Sequence, residues 1–175
     1  MARLYLVRHG KSAHGWDVDP DSPLSELGME QASNWAKHMV ERFDPMPIQS
    51  SPRLSTTQTG QYLAKAWGQS IFTQKLLEEL PVPEGIPMEE RRAWLNSFFE
   101  RSWASQPSSM FQWEQDYISY LMKITQDTVV VSHYMNINRS VAAVTGSVDT
   151  VCIDPDYCSI TCIDNINNSL VNIDI

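Results

Sequence analysis

Cysteine is scarce: the 175-residue chain has three, Cys152, Cys158 and Cys162, all near its C-terminal end. An odd, closely spaced set does not make a disulfide framework, and without CxxC spacing or a fourth soft ligand it does not describe a zinc site. We read reduced core thiols, with Cys158 and Cys162 sharing parity in a strand-like run, and expect no metal and no cofactor. Positive charge is also in short supply, 13 Lys and Arg against 21 Asp and Glu, for a net charge of −8. That balance argues against nucleic acid or an anionic membrane as a partner, so an anionic substrate must be attracted by a local basic pocket. No apolar run approaches the roughly 20 residues needed to span a bilayer. The N-terminal apolar stretch meets Arg8 too early for a signal peptide, so a cytoplasmic location is expected. Internal repeats and low-complexity tracts are missing too. The length suits one domain, residues 1–175, with enough core to fold without staples.

What the sequence does contain is a cation and an imidazole at the end of a strand. Leu4-Tyr5-Leu6-Val7 runs directly into Arg8-His9-Gly10 and then Lys11-Ser12. An apolar strand followed by glycine is the form of a βα turn, and open α/β sheets bind ligands outside the carboxyl ends of their strands. Gly10 is expected to allow a sharp backbone turn. Arg8 offers a planar fork matched to phosphate oxygens, and His9 can be a neutral nucleophile or an acid near pH 7. A second histidine has the same setting. Thr128-Val129-Val130-Val131 reads as a strand buried on both faces, and Ser132-His133 follows it. Met135, Ile137, Val141 and Val144 then suggest a helix stopped at Thr145-Gly146. Two such strands in one parallel sheet would deliver both imidazoles to one crevice.

Between these motifs strands and helices alternate. Ser25 can cap a helix carrying Met29, Ala32, Trp35 or Ala36, Met39 and Phe43 on its apolar face, ending at Asp44-Pro45. Pro47–Ser50 is a short strand candidate, and Ser51-Pro52 is expected to open a second helix that Gly68 stops. Ser70–Thr73 follows as a strand, and the prolines of residues 80–87 forbid regular structure. Residues from Met88 to about Lys123 are aromatic-rich and read as two helices separated by Ser105–Ser109. Strands over Ser159–Ile163 and Leu170–Ile175, joined by a turn at 164–168, close the chain.

These motifs together resemble the histidine phosphatase superfamily, the group that includes the cofactor-dependent phosphoglycerate mutases. The resemblance rests on Arg8-His9-Gly10-Lys11-Ser12, on Pro23-Leu24-Ser25-Glu26-Leu27-Gly28-Met29-Glu30-Gln31-Ala32, on Ser50-Ser51-Pro52 with Gln58-Thr59, and on Val131-Ser132-His133. It implies a three-layer α/β/α sandwich with a mostly parallel central sheet, in which segment 84–123 forms part of the active-site wall. It also implies a phosphohistidine at His9, with Arg8 and His133 cradling the equatorial phosphoryl oxygens. A carboxylic acid would protonate the leaving oxygen; the family's Leu-x-Glu pattern points to Glu79, and Glu78 fits almost as well. The family's second phosphate-binding arginine falls on Ser55 here. Arg53 lies two residues earlier, about 200° away on a helix, and would point elsewhere unless that segment starts as a loop.

Other positions carry weaker expectations. Ser12 can donate its hydroxyl to a phosphate, Tyr134 shapes the pocket, and Gly10 and Arg53 complete the candidate binding set. His14 reads as a polar surface-loop residue, with the pocket mouth as the alternative. Arg91, Arg92 and Arg101 read as a solvated helix face, with a second anionic group of the substrate as the alternative. The leading expectation is a metal-independent phosphatase acting on a small phosphorylated metabolite, a phosphoprotein being the other substrate class. A mutase is disfavoured by the short wall. The missing arginine at Ser55 keeps open a weakly catalytic relative that binds a phosphorylated ligand or partner.

Overall fold

A computed structural model describes residues 1–174. Its sheet has six strands: β1 (Ala2–Arg8), β2 (Ile48–Ser50), β3 (Ile71–Thr73), β4 (Thr128–Ser132), β5 (Ile160–Ile166) and β6 (Ser169–Asp174). They lie in the order β3-β2-β4-β1-β5-β6. The first four are parallel, and β5 and β6 join antiparallel. Helices α1 (Glu26–Arg42), α2 (Leu54–Trp67), α3 (Arg91–Phe99), α4 (Ser108–Met122) and α5 (Tyr134–Thr145) complete the layers. Among the described residues no helix is long and apolar enough to cross a membrane.

Strand alternation sorts the core onto two faces. Tyr5, Val7, Val129 and Val131 pack against Trp35, Met39 and Leu63 of α1 and α2. Leu4, Leu6 and Val130 pack on the other face against Tyr117, Leu121 and Ile137 of α4 and α5. Every residue of β4 is buried, as a central strand covered on both faces requires. The expected three-layer α/β/α sandwich is therefore present. A third cluster under the aromatic segment joins Phe98, Trp103 and Met110 to Leu80 and Met135.

Several boundaries differ from the sequence reading. Ser25 does cap α1, its Oγ accepting from the Gly28 N–H at 3.0 Å, but Met29 is 42% exposed and lies off the apolar face. Helix α2 starts at Leu54, not at Ser51-Pro52, and Arg53 is its N-cap with extended backbone. The Ser51 N–H donates to Val131 O at 3.2 Å, so this stretch finishes the strand pairing before the helix begins. Strand β5 continues to Ile166, and the expected turn at 164–168 shrinks to Asn167-Asn168, both at positive φ. Asparagine tolerates that region, and a two-residue hairpin loop needs it twice. Cys158 sits at φ 60° in the turn before β5, outside the strand, yet it and Cys162 both pack against the core under α1 and α2. Among the described residues no cysteine forms a disulfide. The end of the final predicted strand, Ile175, lies outside the described residues.

Candidate active site

Strands β1 and β4 pair in register, Val7 with Val131 and Arg8 with Ser132. Their carboxyl ends therefore deliver His9 and His133 side by side. The two rings meet edge to face with centroids 5.3 Å apart. The backbone N–H of His9 donates to Ser132 O at 3.1 Å, which fixes the exit of the first strand against the second.

Gly10 O lies 2.7 Å from His9 Nδ1. A carbonyl only accepts, so Nδ1 carries the proton and Nε2 keeps its lone pair. Burial pushes the His9 pKa down to about 4, helped by the Arg8 cation and opposed by the Gly10 carbonyl. The imidazole is thus neutral at pH 7. His133 is only 2% exposed, with Nε2 2.9 Å from Ser51 Oγ. Burial first, then His9 and Arg53, lower its pKa well below the usual histidine range.

Glu79 Oε2 is 3.7 Å from His133 Nδ1. Burial raises this carboxyl to about 7, and the Arg53 and Arg8 cations pull the other way. The choice between the two glutamates is set by the backbone. Glu78 O accepts from Trp113 Nε1 at 3.2 Å and from Asn136 Nδ2 at 3.1 Å, bolting the segment to α4 and α5. With that anchor, Glu79 lines the cleft beside both histidines and Glu78 does not.

Arg8 is held from three sides. Its Nη1 donates to Pro155 O at 2.8 Å, and its guanidinium lies 3.9 Å from the ring centroid of Tyr157 and 5.0 Å from that of Tyr134. Guanidinium stacked on aromatic faces keeps its planar fork oriented. Arg8 Nε and His133 Nδ1 are buried and have no hydrogen-bond partner among the described residues.

The cleft has a volume of about 590 Å³; Arg8, His9, Ser12, Glu79, His133 and Tyr134 all line it. Gly10 and Arg53 do not. Gly10 has no left-handed φ, so the sharp-turn explanation fails. It is needed because a β-carbon there would sit 2.6 Å from Gly28 O. Its N–H donates to Thr59 Oγ1 at 3.0 Å. The helical-phase argument about Arg53 also lapses, since this residue precedes the helix. Its charge reaches both Glu79 and His133, while Ser55 lines the cleft in the place of the family's arginine. His14 borders the cleft, and of Arg91, Arg92 and Arg101 only Arg92 does, Arg101 lying beyond the end of α3.

Sequence reasoning gave Ser51 no role beside His133 and did not find Tyr157 or Pro155. Residues 149–159 have no periodic pattern, so nothing local marks Pro155 and Tyr157. Among the described residues no three His, Cys, Asp or Glu side chains are grouped to hold a metal ion.

A mostly parallel α/β sheet whose two central strands end on facing imidazoles, with an arginine and a buried acid beside them, defines a narrow class of protein. The sequence model of the histidine phosphatase superfamily (branch 1) matches residues 4–170, and the chain belongs to that family. Solved structures share the fold. Phosphoserine phosphatase from Entamoeba histolytica, in complex with 3-phosphoglyceric acid, is 21% identical with a TM-score of 0.72 over 94% of this chain and 91% of that one. Mycobacterial glucosyl-3-phosphoglycerate phosphatase with inorganic phosphate is 19% identical with a TM-score of 0.79, covering 100% and 96%. YhfR of Bacillus stearothermophilus is 20% identical with a TM-score of 0.76, covering 97% and 94%. No curated protein sequence matches the chain.

Proposed function

We propose that the protein is a phosphatase that hydrolyses phosphate monoesters through a phosphohistidine at His9, without a metal. The observation that carries this reading is the state of His9: neutral, its Nδ1–H committed to Gly10 O, its Nε2 free, and its ring beside His133. In this scheme Nε2 attacks phosphorus in line as the ester P–O bond breaks. Arg8 and His133 face the equatorial oxygens, and an oxyanion there supplies acceptors for buried donors that otherwise have none. Glu79 gives its proton to the leaving oxygen. It then takes one from the water that displaces His9 from phosphorus, releasing inorganic phosphate and the free imidazole. A carboxyl titrating near 7 is suited to both duties.

Segment 84–123 serves as one wall in this reading, supported by Leu95, Asn96 and Phe99 at the cleft. We infer a cytoplasmic location, with which the free thiols of Cys152 and Cys158 are in keeping. Fold neighbours that are phosphatases for phosphoserine and for a phosphoglycerate derivative support small phosphorylated substrates.

The test is hydrolysis of an aryl phosphate with and without EDTA, together with acid-quench trapping of phosphoenzyme. Turnover that survives chelation and vanishes with the trapped species in His9→Ala is expected. One observation, Ser55 in the arginine position, favours a second reading, a phospholigand-binding relative with little turnover. Retained phosphate-ester binding with no hydrolysis across a broad ester panel would select it.

A further inference from the structure

Residues 13–22 form a loop that leaves the end of β1 and returns to α1. Its base is closed by Ala13 N–H to Pro23 O and His14 N–H to Ser22 Oγ, both 2.8 Å. Its tip is folded by the Val18 and Asp19 N–H groups on Gly15 O, both at 2.9 Å. From this tip Asp17 reaches α3, accepting from Arg92 Nε at 2.9 Å and Nη2 at 2.7 Å in a two-point fork. Two further contacts join the same partners: the Trp16 ring centroid lies 6.1 Å from that of Trp94 and 5.8 Å from the Arg91 guanidinium.

Gly15 is built around this pair. A β-carbon on it would come within 2.6 Å of Asp17 Oδ1 and 3.2 Å of Arg92 Nη2, so the fork rests on a bare Cα. Loop and helix line the same cleft as His9. The Arg92 side chain is 68% exposed, against 2% for His133. The pair is therefore a bridge at the rim, between the two walls of the site. No step of the hydrolysis proposed above uses it.

We propose that the Asp17–Arg92 fork is a specificity latch that holds loop 13–22 against α3 and restricts the cleft to small phosphate monoesters, excluding phosphate carried on a polypeptide. The inference rests on the phosphatase reading and narrows its substrate class. A cleft of about 590 Å³ falls in the range of pockets that enclose a small molecule on most sides. A phosphoserine within a chain has backbone continuing on both sides, and these extensions need the loop and the helix to part. The pair is solvent-exposed and screened by salt, so it biases an open–closed equilibrium and does not lock it.

The experiment compares kcat/KM for a small aryl phosphate and for a ten-residue phosphoserine peptide. Asp17→Asn and Arg92→Gln are each expected to raise the peptide-to-aryl ratio about five-fold. The reversed pair, Asp17→Arg with Arg92→Asp, is expected to bring it back to within about two-fold of wild type. Added 0.5 M NaCl (about a 4 Å screening length) should raise the wild-type ratio and leave the single variants unmoved. Amide hydrogen exchange, which needs no turnover, gives a second measure: Val18 and Asp19 should exchange about five-fold faster in Arg92→Gln. Unchanged exchange, or an unchanged ratio in both single variants, overturns the latch. Wild type and variants inert on both esters, with exchange accelerated as expected, would overturn the phosphatase reading and with it the substrate restriction, leaving the fork only as a loop restraint.

Discussion

Replacing Glu79 by Gln probes the environment of the proposed acid without relying on turnover. Burial lifts this carboxyl from 4.5 to about 7, against the pull of Arg53 and Arg8. In the unfolded chain it titrates near its ordinary value. Between pH 4.5 and about 7 the folded protein therefore holds a proton that the unfolded chain has released, and stability falls as pH rises through that window. At 1.36 kcal/mol per pH unit the complete deficit is about 3 kcal/mol, present above pH 7 and absent below pH 4.5. Gln mimics the neutral acid in shape and carries no charge to desolvate. Glu79→Gln should therefore melt about 6–12 °C higher than wild type at pH 8, taking 2–4 °C per kcal/mol for a chain of this size. At pH 4 the two should coincide. His9 acts in the opposite sense, its pKa lowered to about 4 so that its contribution grows as pH rises from about 4 to 6.5. It is common to both proteins and cancels in the difference. Calorimetry at pH 4, 6 and 8 reads the effect directly, and a variant no more stable than wild type at pH 8 refutes the buried-acid reasoning.

Two further outcomes follow from the same geometry. The first chemical step needs neutral His9 and protonated Glu79, so kcat/KM for a poor leaving group should rise through pH about 4 and fall through pH about 7. A flat profile from pH 5 to 9 would remove Glu79 from the acid role. Gly28→Ala, a change that ordinarily gains about 1 kcal/mol in a helix, should instead cost more than about 2 kcal/mol in urea melts. Its β-carbon would fall 2.1 Å from Lys11 O, and a stabilised variant would show that the α1 start and the Arg8-His9-Gly10 turn do not pack as described.

The parts of the site that were legible in the sequence are those fixed by burial pattern. β1 and β4 are read from apolar runs because a central parallel strand is buried on both faces, and a residue directly after such a run must emerge at the sheet edge. That argument alone brings His9 and His133 together, as the structure has them. It could not find the support around Arg8, because Pro155 and Tyr157 come back to the first strand from 147 and 149 positions away, through a loop without periodicity. Asp17 and Arg92 likewise meet across 75 positions. Arg53 falls under the exception that the sequence leaves open, an extended residue just before the helix begins, whereas Gly10 is explained by the close approach of α1 and not by backbone freedom.

The displaced arginine has a physical meaning of its own. A guanidinium at hydrogen-bond distance from a phosphoryl group supplies directed donors, which act only at short range and within a narrow angle. A guanidinium a few ångströms further off supplies a field, which falls slowly with distance in a buried setting. Arg53, at the N-cap of α2, is the largest cationic influence on Glu79 and also acts on His133, whereas Ser55 faces the cleft. Arg53 thus acts on the Glu79 carboxyl as a field that opposes its rise by burial, and in the proposed reaction this favours proton transfer in both directions near neutral pH. In the proposed reaction Arg8, held by Tyr157, Tyr134 and Pro155 O, is the fork that would meet an oxyanion directly.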